Sequence, residues 1–535
     1  MMISLKSKLM GLGFMALSFS AFAQKEAPAN WFNLDLTSDN VHGVSTEKAY
    51  KELLNGKKPK KTVLVAVIDS GIDFEHEDLK DIMWVNPKEI KGNGKDDDGN
   101  GYVDDIHGWN FIGGKDGKNV NYETLEATRL YRELKAKPKL SKKEKAFFEK
   151  LSEEIEGKAA QMKMAKGSYQ GIYEALETLE KHFGNGNYKI ADLKSIGDNA
   201  DEKLKKAKEL VSQVGPQLPG EKGSEYMEYM KEVMQYFSSQ LDYNLNPEFD
   251  PRGIVGDNYA DQTEKLYGNS DCYGPDAEHG THVAGIIGAV RGNGIGMDGV
   301  SNAVQIMAVR TVPNGDERDK DVANAIRYAV DNGAEVINMS FGKGYSYKKK
   351  IVDEAVKYAE KKGVLLVHAA GNDNKHIDVE NNFPTKFYQS GNDPYKRGKK
   401  SANNWIEVGA LSWKAGADAP AVFSNYGKNT VDLFAPGVDI NSTIPGSEYK
   451  PNSGTSMAAP VVAGVAALVK AYYPELTAAE LKKCLEKSVT PITYQVNKPG
   501  TKTKVDFKEL CITGGVVNVY AALKLAEEMV AAKKK

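Results

Sequence analysis

The sequence has little cysteine, almost no net charge and few long apolar runs. Only three of its 535 residues are Cys, which excludes a small scaffold held together by disulfides. Lys and Arg number 71 against 73 Asp and Glu, a formal net charge of −2, so electrostatics give no reason to expect nucleic acid as a partner. Hydrophobic residues make up 41% of the chain, which excludes a mostly disordered protein.

The first residues have the pattern of an export signal. Lys6 and Lys8 precede a short apolar run over 9–22, and Ala21-Phe22-Ala23 is a small-x-small cleavage site. We therefore predict a signal peptide, 1–23, and a secreted or periplasmic protein. No later segment has the roughly 18 consecutive apolar residues of a membrane-spanning helix, so no stable membrane insertion is expected after signal cleavage. An N-terminal anchor that stays uncleaved is the alternative.

Export bears on the state of the three cysteines, because disulfides form in oxidising compartments. Cys484 and Cys511 are close enough in sequence to be a candidate pair, and Cys272 would then be left over. Spacing alone does not decide whether this bond forms. The sequence therefore leaves two alternatives, one disulfide with one free thiol or three free thiols.

Five apolar runs are continuous rather than alternating, which is typical of strands buried on both faces of a parallel sheet. Helical patterns lie between several of them and predict a strand-helix-strand alternation. We expect an α/β fold with a central, mostly parallel sheet flanked by helices. Ligands bind at the carboxyl ends of the strands in such folds. The runs cover 61–69, 304–312, 335–341, 363–370 and 405–411, and the helical patterns cover 320–332 and 349–361.

A segment in the first half of the chain has a different composition. From about 120 to 245, Lys and Glu are frequent, Gly and Val are scarce, and Ser141-Lys-Lys-Glu144 has the pattern of a helix-capping box. We predict an inserted helical subdomain over 113–270 with its core at about 122–245. The α/β domain would then comprise 24–112 and 271–535. A solvated, charged coil is the alternative.

Three short stretches supply an acid, a base and a nucleophile. A serine hydroxyl is a weak nucleophile that needs a base within hydrogen-bond reach, and the base needs a carboxylate to orient it. Asp69 follows a predicted buried strand, His279 opens a helical pattern and Ser456 begins another. His282, three residues after His279, is expected to pack in the core. The stretches are Val67-Ile-Asp69-Ser-Gly71-Ile-Asp73, His279-Gly-Thr-His282-Val-Ala-Gly285 and Gly454-Thr-Ser456-Met-Ala-Ala-Pro460.

A fourth stretch adds hydrogen-bond donors to this set. Ala369-Ala-Gly371-Asn372 follows a predicted buried strand and ends in a side-chain amide. Acyl transfer needs donors that point at the tetrahedral oxyanion. The side chain of Asn372 and the backbone N–H of Ser456 are the candidate donors.

Together these stretches resemble the subtilisin-like serine proteases, the subtilases. Three further stretches are interleaved in the matching order, namely Asn338-Met-Ser340-Phe-Gly342, Phe423-Ser-Asn-Tyr-Gly427 and Ala435-Pro-Gly437. The resemblance covers roughly 50–110 and 250–490. It implies a subtilisin-like fold and a secreted serine endopeptidase that acts on protein or peptide substrates. It also implies Asp69, His279 and Ser456 as the charge-relay residues and Asn372 in the oxyanion hole, with the helical insertion between the catalytic Asp and His.

The resemblance further implies that a substrate peptide pairs with exposed edge segments. One edge, which is also a wall of the main specificity pocket, matches Ser340, Phe341 and Gly342. The opposite wall matches Ala369, Ala370 and Gly371. Small residues there favour a broad or apolar preference. The segment 314–319 matches a second substrate edge, where Asp316 and Glu317 either favour basic substrate residues or cap the next helix as exposed charges.

An acidic loop over 95–105 is a candidate calcium site. Acidic and amide residues alternate there as in the first nine positions of an EF-hand loop. His107 stands at the twelfth position, where an EF-hand has Glu, so the match is partial and an empty acidic turn is the alternative. The candidate ligands are Asp96, Asp98, Asn100, Tyr102, Asp104 and Asp105. By resemblance, Asp78 with the loop 290–297 matches another calcium site of the family.

Two other functions are alternatives to the protease. A non-catalytic binding protein with the same fold would keep the motifs without the reaction. An esterase of the α/β-hydrolase fold has the chain order Ser, Asp, His, which this sequence does not follow. The intact set Asp69, His279 and Ser456 favours the protease.

Overall fold

The computed structural model describes residues 27–391 and 393–534. The predicted signal peptide, 1–23, lies outside the described residues. The chain divides into two compact units, one made of the residues up to Asn121 together with those from Pro251 onward, and the other made of Tyr122–Asp250.

Fifteen strands occur in the described part of the chain, all of them in the first unit. Nine of them form the central sheet, and the other six form three antiparallel hairpins. The sheet strands are β1 (Val63–Asp69), β2 (Gly108–Asn110), β3 (Val304–Arg310), β4 (Val336–Met339), β5 (Leu365–Ala369), β8 (Trp405–Leu411), β9 (Leu433–Pro436), β12 (Thr490–Pro491) and β15 (Gly515–Val516). The hairpin strands are β6 (Phe387–Ser390) with β7 (Asp393–Ser401), β10 (Ile440–Ile444) with β11 (Glu448–Asn452), and β13 (Gln495–Asn497) with β14 (Lys504–Asp506).

The order of the strands in the sheet is β12-β15-β9-β8-β5-β4-β1-β3-β2. Every neighbouring pair is parallel except β12 with β15. The expected central, mostly parallel sheet is therefore confirmed. Because parallel strands end at the same edge, the segments that follow β1, β4 and β5 meet there.

Helices cover both faces of this sheet. Val63, Val65 and Val67 of β1 belong to one apolar cluster, and Ala66 and Ile68 belong to another. A strand that packs on both sides has no polar face, which explains its continuous apolar sequence. The helices of the unit are Leu36–Asp39, Thr46–Glu52, Glu278–Gly288, Asp319–Asp331, Lys349–Lys362, Thr455–Tyr472, Ala478–Lys487 and Val519–Lys533.

One helix in the described chain, Thr455–Tyr472, is long and apolar enough to cross a membrane. It is almost entirely buried in the first unit, where it contacts six strands of the sheet, β1, β3, β4, β5, β8 and β9. Its apolar composition is what the centre of a folded core requires.

The second unit is helical. Its helices are Glu126–Ala136, Lys142–Phe183, Glu202–Val214 and Gly223–Ser239, followed by a π-helical turn, Gln240–Asn244. Ser141 and Glu144 form the predicted capping box, and Leu176, Val211 and Met230 are fully buried. The unit therefore has a packed core and is not a solvated coil.

The outer bounds predicted for the insertion, 113 and 270, are too wide. Residues 113–121 and 251–270 belong to the first unit. Gly113 forms a β-bridge with Asn119, and Asn269 forms one with Asn110 of β2. The second pairing attaches 251–270 to the edge of the sheet, and the first folds 113–119 back on itself. Neither segment has the apolar run that identified the strands.

The disulfide that the sequence left open is not formed. Cys272, Cys484 and Cys511 are all free and buried. The Cys484 thiol lies 3.3 Å from the carbonyl oxygen of Ala522, whereas Cys511 packs in a separate apolar cluster with Phe434.

Candidate active site

Asp69 and His279 form a close pair at the carboxyl end of β1. Asp69 is the last residue of β1 and only 1% exposed. Its Oδ1 lies 2.7 Å from Nδ1 of His279 and accepts a second hydrogen bond from the backbone N–H of Ser70 at 2.8 Å. A carboxylate at Nδ1 places the imidazole proton there and leaves a lone pair on Nε2. Nε2 is buried and has no hydrogen-bond partner in the described chain.

Two glycines allow this pair to form. A Cβ atom on Gly280 would lie 2.1 Å from the carbonyl oxygen of Gly71. Gly71 itself has a φ of +126°, and a Cβ there would lie 2.0 Å from the carbonyl oxygen of Tyr273. The first turn of helix Glu278–Gly288 therefore packs directly on the turn after Asp69, which only residues without a side chain permit.

Ser456 is the second residue of helix Thr455–Tyr472 and is buried. Its hydroxyl donates to the carbonyl oxygen of Ser340 at 3.0 Å. No hydrogen bond joins it to His279 in the described structure, so the expected contact between nucleophile and base is not made. Hydrogen bonds of this kind are often long or absent before substrate binds.

Asn372 is fixed by the residue that precedes Ser456. Its Oδ1 accepts hydrogen bonds from the backbone N–H of Thr455 at 2.8 Å and from the Thr455 hydroxyl at 2.9 Å. Because an N–H group only donates, Oδ1 must face Thr455 and Nδ2 must face away. Within the described residues Nδ2 makes no hydrogen bond. The N–H of Ser456 is also unpaired, as expected in the first turn of a helix.

The first predicted pocket wall, Ser340 to Gly342, directly follows β4. The second wall, Ala369 to Gly371, begins with the last residue of β5. The side chain of Asn382 lies between them, since its Nδ2 donates to the carbonyl oxygens of Ala370 and Ala369 at 3.0 and 3.3 Å. A Cβ on Gly342 would lie 2.7 Å from Oδ1 of Asn382. Phe341 packs inward, with its ring edge-on to a neighbouring imidazole, and is 8% exposed.

Gly371 ends the second wall. Its φ is +102°, and a Cβ there would lie 2.4 Å from the side chain of Asn425. The same amide donates to the carbonyl oxygen of Ala370 at 2.7 Å. The wall therefore consists of backbone and small side chains held by two asparagine amides.

Glu317 of the second predicted edge is only 2% exposed. Burial raises its pKa to about 8, against a smaller lowering effect of Lys343. The interpretation of Glu317 as an exposed charge that caps the next helix is therefore wrong, whereas a preference for basic substrate residues stays a prediction.

His282 packs as expected. It is fully buried, and its Nε2 lies 2.9 Å from the carbonyl oxygen of Lys450. Burial lowers its pKa to about 3, so it is neutral at neutral pH and is placed to support the helix rather than to exchange protons.

In the acidic loop, Glu89, Asp96 and Asp98 each offer a carboxylate oxygen, and these oxygens lie within 4.8 Å of one another. Oε1 of Glu89 accepts hydrogen bonds from two backbone amides of the loop, while its Oε2 is buried without a partner in the described chain. None of the three carboxylates has an ion pair with Lys or Arg there. Such a group of oxygens fits a hard cation, which would offset their mutual repulsion.

The other predicted ligands do not belong to this group of three carboxylates. Both oxygens of Asp104 accept backbone N–H groups of 92–94. Asp105 is fully buried and accepts hydrogen bonds from Asn86, Asn100 and Tyr328, and burial raises its pKa to about 6. Tyr102 is buried too, so its carbonyl oxygen rather than its ring would face a cation. These residues shape the loop.

Asp78 lies against the loop 290–297, the other part of the second predicted calcium site. One of its oxygens accepts from the side chain of Asn293 at 2.6 Å, and the other accepts from Met297 N–H and the Tyr449 hydroxyl at 3.3 and 3.4 Å. Because a carboxylate oxygen accepts more than one contact, these hydrogen bonds leave the second calcium site a prediction.

Sequence reasoning missed Thr455, Asn382, Asn425 and Glu89. Thr455 and Asn425 lie inside stretches that were recognised, but their roles depend on contacts across the fold. Asn382 and Glu89 lie in no recognised motif. Nothing in the sequence around them signals these contacts.

The chain matches a known protein family over most of its length. The family model described as the subtilase family matches residues 60–509. The chain is 38% identical over 266 residues to a thermophilic serine proteinase of Bacillus sp. (strain AK1), covering 48% of this chain and 57% of that protein. It is 36% identical over 213 residues to a thermostable alkaline protease of Halalkalibacterium halodurans, covering 40% and 52%. It therefore spans about half the length of the curated relatives it matches.

A solved structure is also similar to part of the chain. That structure is described as proteases from Pseudoalteromonas arctica PAMC 21717, and it has 28% sequence identity to this chain and a TM-score of 0.39. The match covers 48% of this chain and 78% of that one.

Proposed function

This chain belongs to the subtilase family, and we propose that it is a serine endopeptidase that hydrolyses peptide bonds in protein or peptide substrates. The observation that carries the proposal is the 2.7 Å contact between Asp69 and Nδ1 of His279. It leaves a base, Nε2, without a partner in the described chain. A nucleophile at a helix N-terminus and a free amide donor, Ser456 and Asn372, complete the set.

The reaction follows from the chemistry of these groups. Nε2 of His279 removes the proton from the Ser456 hydroxyl as the oxygen attacks the substrate carbonyl carbon. Asp69 stabilises the imidazolium that results. The negative charge on the former carbonyl oxygen is bound by Nδ2 of Asn372 and the N–H of Ser456.

The tetrahedral intermediate then collapses. His279 gives its proton to the leaving amine, the peptide C–N bond breaks, and the acyl group stays on Ser456. Water, deprotonated by the same imidazole, attacks the ester and releases the acid. For the first step the Ser456 hydroxyl must turn from the carbonyl oxygen of Ser340 towards Nε2 of His279.

A serine-directed phosphonate tests this proposal. We expect covalent labelling of the wild type and none of Ser456→Ala, with peptide hydrolysis lost in the same variant. The matched control is Ser442→Ala, which removes another buried hydroxyl that donates to a backbone carbonyl at 2.7 Å, and it should still be labelled. A folded wild type that is neither labelled nor active would indicate the alternative, a binding protein with this fold.

We also infer export to the periplasm or the medium. The support is the basic, apolar and small-residue pattern of 1–23. Mass spectrometry of protein recovered from the periplasm and medium should find an N-terminus at Gln24. Recovery of the intact chain from the cytoplasm alone would contradict it.

Structural calcium in the acidic loop is a further part of the proposal. Glu89, Asp96 and Asp98 would hold the ion, and the buried, unpartnered Oε2 of Glu89 supports this choice. The ion would supply positive charge that offsets the clustered carboxylates. Asp78 with the loop 290–297 is a second candidate site, and the contacts of Asp78 with Asn293 and Met297 support it.

A further inference from the structure

We propose that Lys343 is a positioning residue of the substrate cleft, because its ammonium group joins the two chain segments that would pair with a bound peptide. In this role it fixes the distance between these two segments, and substrate residues upstream of the cleaved bond need that distance to pair with both. The inference rests on the proposed function. It concerns how extended peptides are bound, and not how the bond is broken.

The backbone of Lys343 fixes the end of the first edge, Ser340 to Gly342. Lys343 and Phe383 form an antiparallel bridge, with N–H to oxygen distances of 2.9 and 2.8 Å. The preceding amides of Phe341 and Gly342 make no hydrogen bond within the described part of the chain. An extended peptide pairs with a segment in this condition, held in place but with free backbone donors.

The side chain of Lys343 reaches the second edge. It is buried, and Nζ donates to the carbonyl oxygen of Glu317 at 2.6 Å. Nζ also lies 2.8 Å from Oδ1 of Asp319. The other oxygen of Asp319 accepts from the Ser346 hydroxyl and the Lys348 N–H, at 2.8 and 2.6 Å. One ammonium group thus holds a backbone carbonyl of the second edge and the first residue of the helix that follows it.

Burial makes this link rigid. A buried ammonium group is stable only with its partners in place, and its removal leaves the buried carboxylate of Asp319 without its ion-pair partner. The distance between the segments 315–317 and Ser340 to Gly342 is then no longer fixed. A substrate of a single residue needs little more than the base, the nucleophile and the oxyanion donors. A longer peptide needs both edges, so the effect should grow with peptide length.

Lys343→Met provides the test, with two substrates of different length. For a tetrapeptide anilide we expect kcat/KM to fall at least about tenfold, mainly through KM, the loss of roughly one hydrogen bond to the substrate. For a single-residue ester we expect a change of less than about twofold. Lys343→Arg, which keeps the charge and can reach the same oxygens, should recover part of the tetrapeptide activity.

The matched control is Lys482→Met. Lys482 is also a mostly buried lysine that bonds a backbone carbonyl, that of Trp405, and a buried carboxylate, that of Asp432 at 3.0 Å. Its loss should change both substrates equally. Asp319→Asn keeps Lys343 but removes its charged partner. It provides a second test with the same two substrates if Lys343→Met does not fold.

Equal losses on both substrates in the Lys343 and Asp319 variants, or no loss on either, would overturn the inference. Failure of the proposed function looks different. In that case the wild type itself is not labelled by the phosphonate and cleaves neither substrate.

Discussion

Ser340 and Ser456 exchange two hydrogen bonds, each hydroxyl donating to the carbonyl oxygen of the other residue, at 2.9 and 3.0 Å. The exchange depends on Pro460. Proline has no N–H, so the carbonyl four residues before it in helix Thr455–Tyr472 lacks its helical partner. That carbonyl belongs to Ser456, and the hydroxyl of Ser340 takes the place of the missing donor.

A double-mutant cycle checks this relationship. Ser340→Ala leaves the buried carbonyl of Ser456 unpaired, and we expect the free energy of unfolding to fall by about 1–3 kcal/mol. In that background, Pro460→Ala restores an N–H four residues on and should recover part of the loss. Urea unfolding of the four proteins measures the coupling. Additive effects would show that the two residues act independently.

The amide of Asn372 gives the second prediction. Asn372→Asp keeps an acceptor for the N–H of Thr455 but replaces the free donor with a negative oxygen. We expect kcat to fall by about 10²–10³-fold or more, with KM little changed, as for removal of an oxyanion donor. Thr455→Val, which loses only the hydroxyl contact, should cost less than about tenfold. Steady-state kinetics on one peptide substrate checks both, and equal losses would contradict the assignment.

Stability should decrease as the pH rises towards 8 because of Glu317. Burial raises its folded-state pKa from the ordinary 4.5 to about 8, so between these values the folded protein binds a proton that the unfolded chain releases. This contribution is fully present below about pH 4.5 and is lost as the pH rises through 8. Glu317→Gln should reduce the slope of unfolding free energy against pH in that window. Glu380→Gln, at an exposed site, should leave it unchanged.

Removal of calcium should destabilise the wild type. A site held at one hundred times its Kd contributes about 2.7 kcal/mol, so a chelator should lower the melting temperature. Glu89→Gln should melt lower in calcium and respond less to the chelator. Glu380→Gln should respond as the wild type does. A wild-type melting curve that the chelator leaves unchanged would contradict the site.

Reducing agents should not change the stability of the protein. Cys272, Cys484 and Cys511 are free and buried, so there is no disulfide to reduce. Melting curves with and without dithiothreitol should coincide, and mass spectrometry of the denatured protein after alkylation should find three modified thiols. Two modified thiols fewer in the non-reduced sample would contradict the structure.

Much of the fold was predictable from the sequence because its central strands are buried on both faces. The run over 405–411 corresponds to β8, Trp405–Leu411, and that over 363–370 contains β5, Leu365–Ala369. The outermost strands were not predictable. Thr490–Pro491 and Gly515–Val516 have two residues each, too few to show any period.

The candidate site divides in the same way. Local sequence patterns were sufficient to predict chemical roles for Asp69, His279, Ser456 and Asn372. The contacts of Lys343, Asn382 and Glu89 join separate segments of the chain. The residues next to each of them in the sequence do not indicate which residue it contacts. The direction of the Ser456 hydroxyl was missed because it depends on an oxygen of Ser340, 116 positions away.

The order of the site residues along the chain also determines when the site can form during synthesis. Asp69 leaves the ribosome early, but its helix-borne partners come much later, and the N–H of Val519 closes on the carbonyl oxygen of Val44 at 2.8 Å. Synthesis runs from the amino end, so a growing chain holds its acid and its base long before it holds Ser456. The nascent polypeptide therefore has no nucleophile until Ser456 has been added, and it cannot cleave neighbouring chains before then.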